Sequence, residues 1–137
     1  MGVLKPLEEK VIIEPKDVKP SSEDMEVIGV TNPGGILFDD GDKEKVYLLL
    51  RVIEKTRERF LCLISFPRAI PGEKYKIVLG WERENKDAVI TSPHSLETLG
   101  PERRRRLTTI SHLRLAESED GINFKISWII KTQKYLH

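Results

Sequence analysis

Four polar residues in this sequence have side chains and positions suited to ligand binding: Asn32, Arg51, His112 and Arg114. An amide can both donate to and accept from hydroxyl groups, and a guanidinium holds carboxylates or phosphates in a fixed fork of donors. Each residue also has a structural interpretation. Asn32 begins the turn-like run 32–35, Arg51 is suited to an exposed strand end, and a histidine such as His112 is more often structural.

Other reactive residues lack the spacing that their chemistry requires. His94, His112 and His137 have no metal-ligand spacing, and there is no second cysteine beside Cys62. Cys62 lies in the apolar run 60–64, which predicts a buried and unreactive thiol. No nucleophile elbow and no glycine-rich phosphate loop is present. We therefore predict neither a metal nor a cofactor.

Composition narrows the classes of partner. The chain has 137 residues, with 23 Lys and Arg against 22 Asp and Glu, for a net charge of +1. The run Arg103–Arg106 suits phosphates, but no aromatic residues interleave it and acids elsewhere cancel its charge, so a solvated loop is favoured and no nucleic-acid partner is expected. One cysteine and no long apolar segment predict a cytoplasmic protein without a membrane partner.

The elements that must position these residues are strands. From Ser111 onward the sequence alternates with a period of two, so His112, Arg114 and Ala116 share one face while Leu113 lies on the other. Further strands are predicted at 11–13, 25–30, 36–38, 45–53, 60–65, 75–80, 88–91 and 122–124. Turns are predicted at 32–35, 39–42, 54–58 and 119–121. The sequence therefore indicates an all-β fold.

Two segments carry more specific expectations. The near-continuous apolar run Val46–Leu50 predicts a strand that is buried on both faces. Residues 95–106, which contain Pro101, predict a short helix or a loop equally well. No long segment with a period of 3.6 residues is present, which is why the all-β interpretation is favoured.

Three segments, in order, resemble one known family: Glu26–Gly35, Val46–Val52 and Ile110–Phe124. Together with a similar lead-in at 12–21, they resemble the N-terminal part of glycoside hydrolase family 130, the β-mannoside phosphorylases and β-mannosidases. The resemblance covers roughly residues 10–126. Each segment alone is a weak signal, and the three in order are fairly specific.

The resemblance implies a five-bladed β-propeller in which Asn32 and Arg51 approach the mannosyl ring and either inorganic phosphate, as co-substrate, or water attacks the sugar. His112 and Arg114 are candidate cavity-lining residues. Propeller blades take about 40 to 50 residues each, so this chain is expected to form one to one-and-a-half blades. We expect a single domain, 1–137: an extended lead-in at 1–31, a first blade at 32–126 with an irregular insertion at about 66–109, and a divergent tail at 127–137.

Inverting glycosyl transfer needs a proton donor and a nucleophile on opposite faces of the sugar. The family's catalytic aspartate lies in a Glu-Asp-Pro-Arg-like motif that this sequence lacks, so no catalytic residue is assigned. We expect a truncated glycosidase-like protein, inactive alone or complemented by another chain. The alternative is a non-catalytic carbohydrate-binding module, or one whose exposed edges pair in a homo-oligomer. A nucleic-acid binder is the weakest hypothesis.

Overall fold

The chain folds into antiparallel β-sheet in a computed structural model that describes residues 10–39, 41–57, 62–71 and 76–127, without the side chains of residues 32, 69, 76 and 77. The strands of this described part are β1 (Met25–Asp39), β2 (Glu44–Thr56), β3 (Leu63–Ile70), β4 (Lys76–Arg83), β5 (Ala88–Ser92), β6 (Ser95–Thr98), β7 (Arg105–Leu107), β8 (Thr109–Ser118) and β9 (Lys125–Ile126). One turn of 3₁₀ helix, Pro15–Asp17, precedes them. The all-β prediction is confirmed.

The strands form three sheets. The main sheet has the order β1-β2-β8-β9, β3 and β4 form a two-stranded ribbon, and the third sheet has the order β5-β6-β7. The ribbon and the third sheet lie in the chain between β2 and β8, although β2 and β8 are hydrogen-bonded neighbours. The insertion into the main sheet is therefore itself built from strands.

Alternating burial along β2 gives the main sheet two different faces. Leu50 and Val52 are 2% and 0% exposed, whereas Leu49 and Arg51 are exposed. We call the side of Leu50 and Val52 the packed face and the side of Leu49 and Arg51 the open face. The lead-in covers the packed face, because Val18 joins the same buried cluster. The prediction that 46–50 is buried on both faces is wrong, since the open face has no such cover among the described residues.

A second apolar cluster joins the ribbon to the third sheet. Its members come from β3, β5 and β6: Ile64, Phe66, Ala88 and Leu96. Gly80 on β4 lies directly opposite Phe66, and a Cβ atom at Gly80 would lie 2.5 Å from the Phe66 ring. A residue without a side chain is required there because the aromatic ring occupies that space.

The turn after β8 has the predicted glycine conformation. Gly121 has a φ of +76°, which favours glycine. The Asp120 carboxylate accepts hydrogen bonds from the backbone N–H groups of Asn123 and Ile122, and these hold the pKa of Asp120 well below its usual range. Because this carboxylate organises the loop as far as residue 123, the strand predicted at 122–124 begins only at Lys125.

Two other predicted elements differ from the structure. Residues 11–13 form no strand, and Ile13 packs as a loop residue on the packed face. The turn predicted at 32–35 is an irregularity inside β1, where the register shifts between Thr31 and Gly34. Pro33 lacks an N–H donor, and such a residue is tolerated on an edge strand where the ladder is already interrupted.

The remaining differences concern charged segments. Residues 54–56, predicted as part of a turn, continue β2, and residues 95–106 contribute the strands β6 and β7 rather than a helix or a loop. Cys62 is exposed, with a φ of +67°, in a turn before β3, so the prediction of a buried thiol is wrong. Residues 128–137 of the predicted tail lie outside the described residues.

Candidate functional site

An open groove borders one end of the open face. It has a volume of about 960 Å³ and lies between the main sheet, β3 and β7. Arg51 and Ile53 from β2 and Thr109 and Ser111 from β8 form its main-sheet wall. Arg51 pairs in register with Thr31 on one side and with Leu113 on the other, so it lies within the sheet rather than at a strand end.

The opposite wall of the groove is basic. Arg68 on β3, Arg105 and Arg106 on β7, and His94 all line it, and none of the described residues that line the groove is an Asp or a Glu. Arg68 and His94 were not identified from the sequence, because nothing in the pattern shows that β3 and the turn before β6 meet the same groove as Arg51. Their proximity depends on pairing between strands that lie far apart in the sequence, and the local sequence pattern does not show it.

The four arginines of the run 103–106 have different environments. Arg103 and Arg104 pair with Glu97 and Glu102, at 3.6 Å and 2.7 Å. Arg106 lies 5.1 Å from the centre of the Phe66 ring, and its Nε lies 3.8 Å from a Glu82 oxygen. The prediction of a solvated loop therefore holds for the first half of the run and is wrong for the second, which forms β7.

The family resemblance implies that Asn32 and Arg51 approach the same sugar ring. The backbone of Asn32 follows Thr31, the residue opposite Arg51, within the irregular part of β1. This brings the two positions onto neighbouring strands. The Asn32 side chain lies outside the described residues.

His112 and Arg114 lie on the packed face, opposite to Arg51, and neither lines the groove. His112 Nε2 lies 3.0 Å from Glu54 Oε2. Arg114 is 2% exposed, and burial lowers the pKa of its guanidinium while the charge of Glu54 opposes that change. His112 and Arg114 therefore pack and interact electrostatically on the packed face, and they do not line the groove.

Glu54 is the centre of this buried polar group. Its side chain is 0% exposed, and both carboxylate oxygens accept hydrogen bonds from Ser21, at 2.6 Å from its backbone N–H and 2.6 Å from its hydroxyl. Burial acts to raise the pKa of Glu54, but the hydrogen bonds from His112 and Ser21 outweigh it, so the pKa is lowered. The carboxylate thus ties the lead-in to β2 and β8.

No metal-binding arrangement stands out on the part of the chain that the structure describes: no group of three or more His, Cys, Asp or Glu residues is placed to hold an ion. The same described residues include no helix with the length and apolar character needed to cross a membrane. The groove offers guanidinium, hydroxyl and apolar groups, which can bind a polar ligand by hydrogen bonds and contact.

The chain is similar in sequence and in fold to a known phosphorylase. No family model matches the chain. A β-1,2-mannobiose phosphorylase of Listeria innocua is 32% identical over 120 residues, which cover 87% of this chain. The solved structure of β-1,2-mannobiose phosphorylase from Listeria innocua, in complex with β-1,2-mannobiose, matches 85% of the chain at a TM-score of 0.66 and 30% identity. The resemblance to glycoside hydrolase family 130 is confirmed.

The match covers one part of the phosphorylase. The chain spans about a third of the length of the phosphorylase, 33% of the sequence and 32% of the solved chain. The fold agrees with a partial propeller of the family 130 type, as the resemblance implied. Among the side chains that the structure describes, Arg51 is the predicted sugar-contacting residue that lines the groove.

Proposed function

We propose that this chain contributes the wall of a carbohydrate site and binds a β-mannoside in the groove beside Arg51. The similarity to a phosphorylase solved with β-1,2-mannobiose supports this, and the single observation that carries it is the exposed Arg51 on an open groove. A guanidinium can donate to two neighbouring sugar hydroxyls, and the hydroxyls of Thr109 and Ser111 can donate or accept beside it. Ile53 offers an apolar surface to the C–H face of a sugar ring.

This binding is tested by titrating β-1,2-mannobiose into the protein and into Arg51→Gln, with heat or ligand-observed NMR as the readout. Hydrogen bonds to a charged group contribute roughly 1.5–3 kcal/mol, so the variant should bind about tenfold to a hundredfold more weakly. Arg104→Gln is the matched control, because Arg104 pairs with Glu102 away from the groove. Equal affinity of wild type and Arg51→Gln would contradict the proposal.

We further propose that these 137 residues bind such a sugar without cleaving it. The sequence has no Glu-Asp-Pro-Arg motif, and without a proton donor the leaving oxygen is not protonated. Incubation with β-1,2-mannobiose and inorganic phosphate, followed by assay for a sugar phosphate and for free mannose, should give no product above the protein-free rate. Product formation that scales with protein concentration would contradict this.

Assembly is a second candidate role, supported by the far end of the open face. Apolar side chains are exposed there on β1 and β2, at Ile36, Phe38 and Leu49, and the exposed apolar surface extends to Leu113 on β8, which lies beside Arg51. We propose that a second copy of the chain covers this surface, which we call the apolar patch. Burying it would remove apolar area from water, and β1 is also an edge strand that can pair with another chain.

A further inference from the structure

The groove contains more positive charge than a neutral sugar requires. Three arginines line it that form no ion pair with a carboxylate of the described residues: Arg51, Arg68 and Arg105. Elsewhere in the described part of the chain the exposed basic residues are commonly paired, as Arg104 is with Glu102 and Lys16 with Glu14. The chain as a whole is nearly neutral, at +1, so the positive charge of the groove is local.

This arrangement fits an anionic ligand for an electrostatic reason. Like charges that share a groove repel one another, and an anion placed among them relieves that repulsion. Arg51 comes from the main sheet, whereas Arg68 and Arg105 come from β3 and β7, so a ligand that reaches both walls can meet guanidiniums on each side. Guanidinium and carboxylate also match as two parallel hydrogen bonds.

We propose that the groove selects an acidic oligosaccharide, a β-linked sugar chain that carries carboxylates, over a neutral one. This rests on the proposed carbohydrate function and names its ligand class. A nucleic-acid strand is disfavoured because its bases need exposed aromatic faces to stack on. Phe66 is the aromatic residue among those lining the groove, and it is 3% exposed and covered by Arg106.

The experiment compares two ligands that differ in one group on each sugar unit. β-1,4-Linked mannuronate trimer has a carboxylate where β-1,4-mannotriose has a hydroxymethyl group. We expect the acidic trimer to bind about tenfold tighter in dilute buffer, and we expect that advantage to shrink in about 0.5 M salt, where the Debye length falls to a few ångströms. Similar affinities for the two trimers in dilute buffer would overturn the inference.

Matched variants test which residues produce the preference. Arg68→Gln and Arg105→Gln change exposed side chains, and each should reduce binding of the acidic trimer while leaving mannotriose unchanged. Arg104→Gln removes the same charge outside the groove and should alter neither. Glu82→Gln should strengthen binding of the acidic trimer, because Glu82 offsets the charge of Arg106; a gain of affinity cannot arise from misfolding. A loss in Arg104→Gln equal to that in Arg105→Gln would contradict the assignment.

The outcomes also separate this inference from the proposed function. Binding of both trimers without a preference overturns the acidic-ligand inference and leaves the carbohydrate site standing. Binding of the acidic trimer alone, dependent on Arg68 and Arg105, supports the inference and contradicts a site for neutral mannosides. Tighter binding of a single-stranded oligonucleotide of the same charge, with the same arginine dependence, would replace the glycan with nucleic acid.

Discussion

At the scale of single residues, charged side chains are divided between two faces of one sheet. Arg51 reaches the groove, while Glu54, three residues later on β2, lies on the packed face among Ser21, His112 and Arg114. Glu54 was predicted in a charged turn, yet it follows Leu50 and Val52 at intervals of two. Extending that alternation by one step would have placed it on the buried side.

Removing the Glu54 carboxylate should cost stability, because buried donors of Ser21 and His112 would lose their acceptor. We expect Glu54→Ala to lower the free energy of unfolding by about 3–5 kcal/mol. Glu97→Ala is the control, since the Glu97–Arg103 pair is exposed and should contribute no more than about 1 kcal/mol. Urea denaturation of the two variants measures both values, and similar small losses would contradict the role of Glu54.

The Glu54 carboxylate also predicts how the stability of the fold changes at acidic pH. The pKa of Glu54 is lowered in the folded chain, so its stabilising contribution is complete above the unfolded value of about 4.3 and is lost as pH falls through the lower folded value. Glu54→Gln should therefore lose less stability over that acidic range than wild type. A Glu54→Gln profile parallel to that of wild type would show that another group causes the change.

At the scale of secondary-structure elements, the sequence predicts well which side chains share a face of a strand. It predicts poorly where the pairing of a strand is interrupted. The local sequence pattern alone predicts that His112 and Arg114 share one face of β8, and it predicts the turn at Gly121. The run Asn32–Gly35 was misread because the same residues that make turns also make bulges in edge strands. Strands β6 and β7 were missed because their pairing partners, rather than their own composition, make them strands.

The close packing of Gly80 on β4 against the Phe66 ring on β3 can be tested by substitution. Gly80→Ala would place a Cβ atom 2.5 Å from the Phe66 ring, so we expect a loss of about 1–3 kcal/mol from overpacking. Gly34→Ala is the control, because no atom lies within 4 Å of its added Cβ. Thermal unfolding should show a clear decrease for the first variant and little change for the second; equal midpoints would contradict the close packing.

At the scale of the whole molecule, the open face combines two properties. One end borders the arginine-lined groove, and the apolar patch extends from Ile36, Phe38 and Leu49 to Leu113 beside Arg51. The described part of the chain therefore exposes both a polar groove and an apolar surface on one face of the main sheet. The single-domain organisation stays a prediction, supported by the contact of Arg106 with Phe66 between β7 and β3.

The proposed pairing of two copies predicts that self-association depends on the apolar patch. Phe38→Lys and Leu49→Lys should shift light scattering toward the monomer, because each places a charge where apolar contact is expected. Ile90→Lys changes an equally exposed residue on the third sheet and should leave the mass unchanged. A wild-type chain that stays monomeric as its concentration is raised would contradict the proposed pairing.

The carbohydrate site is tested most directly by methyl NMR of the wild-type chain during addition of β-1,2-mannobiose. The account predicts saturable shifts of the groove methyls of Ile53 and Leu107, and none for Val18 and Val52 on the packed face. Shifts confined to Val18 and Val52, or no shifts at sugar concentrations that saturate the heat of binding, would show that the sugar binds elsewhere.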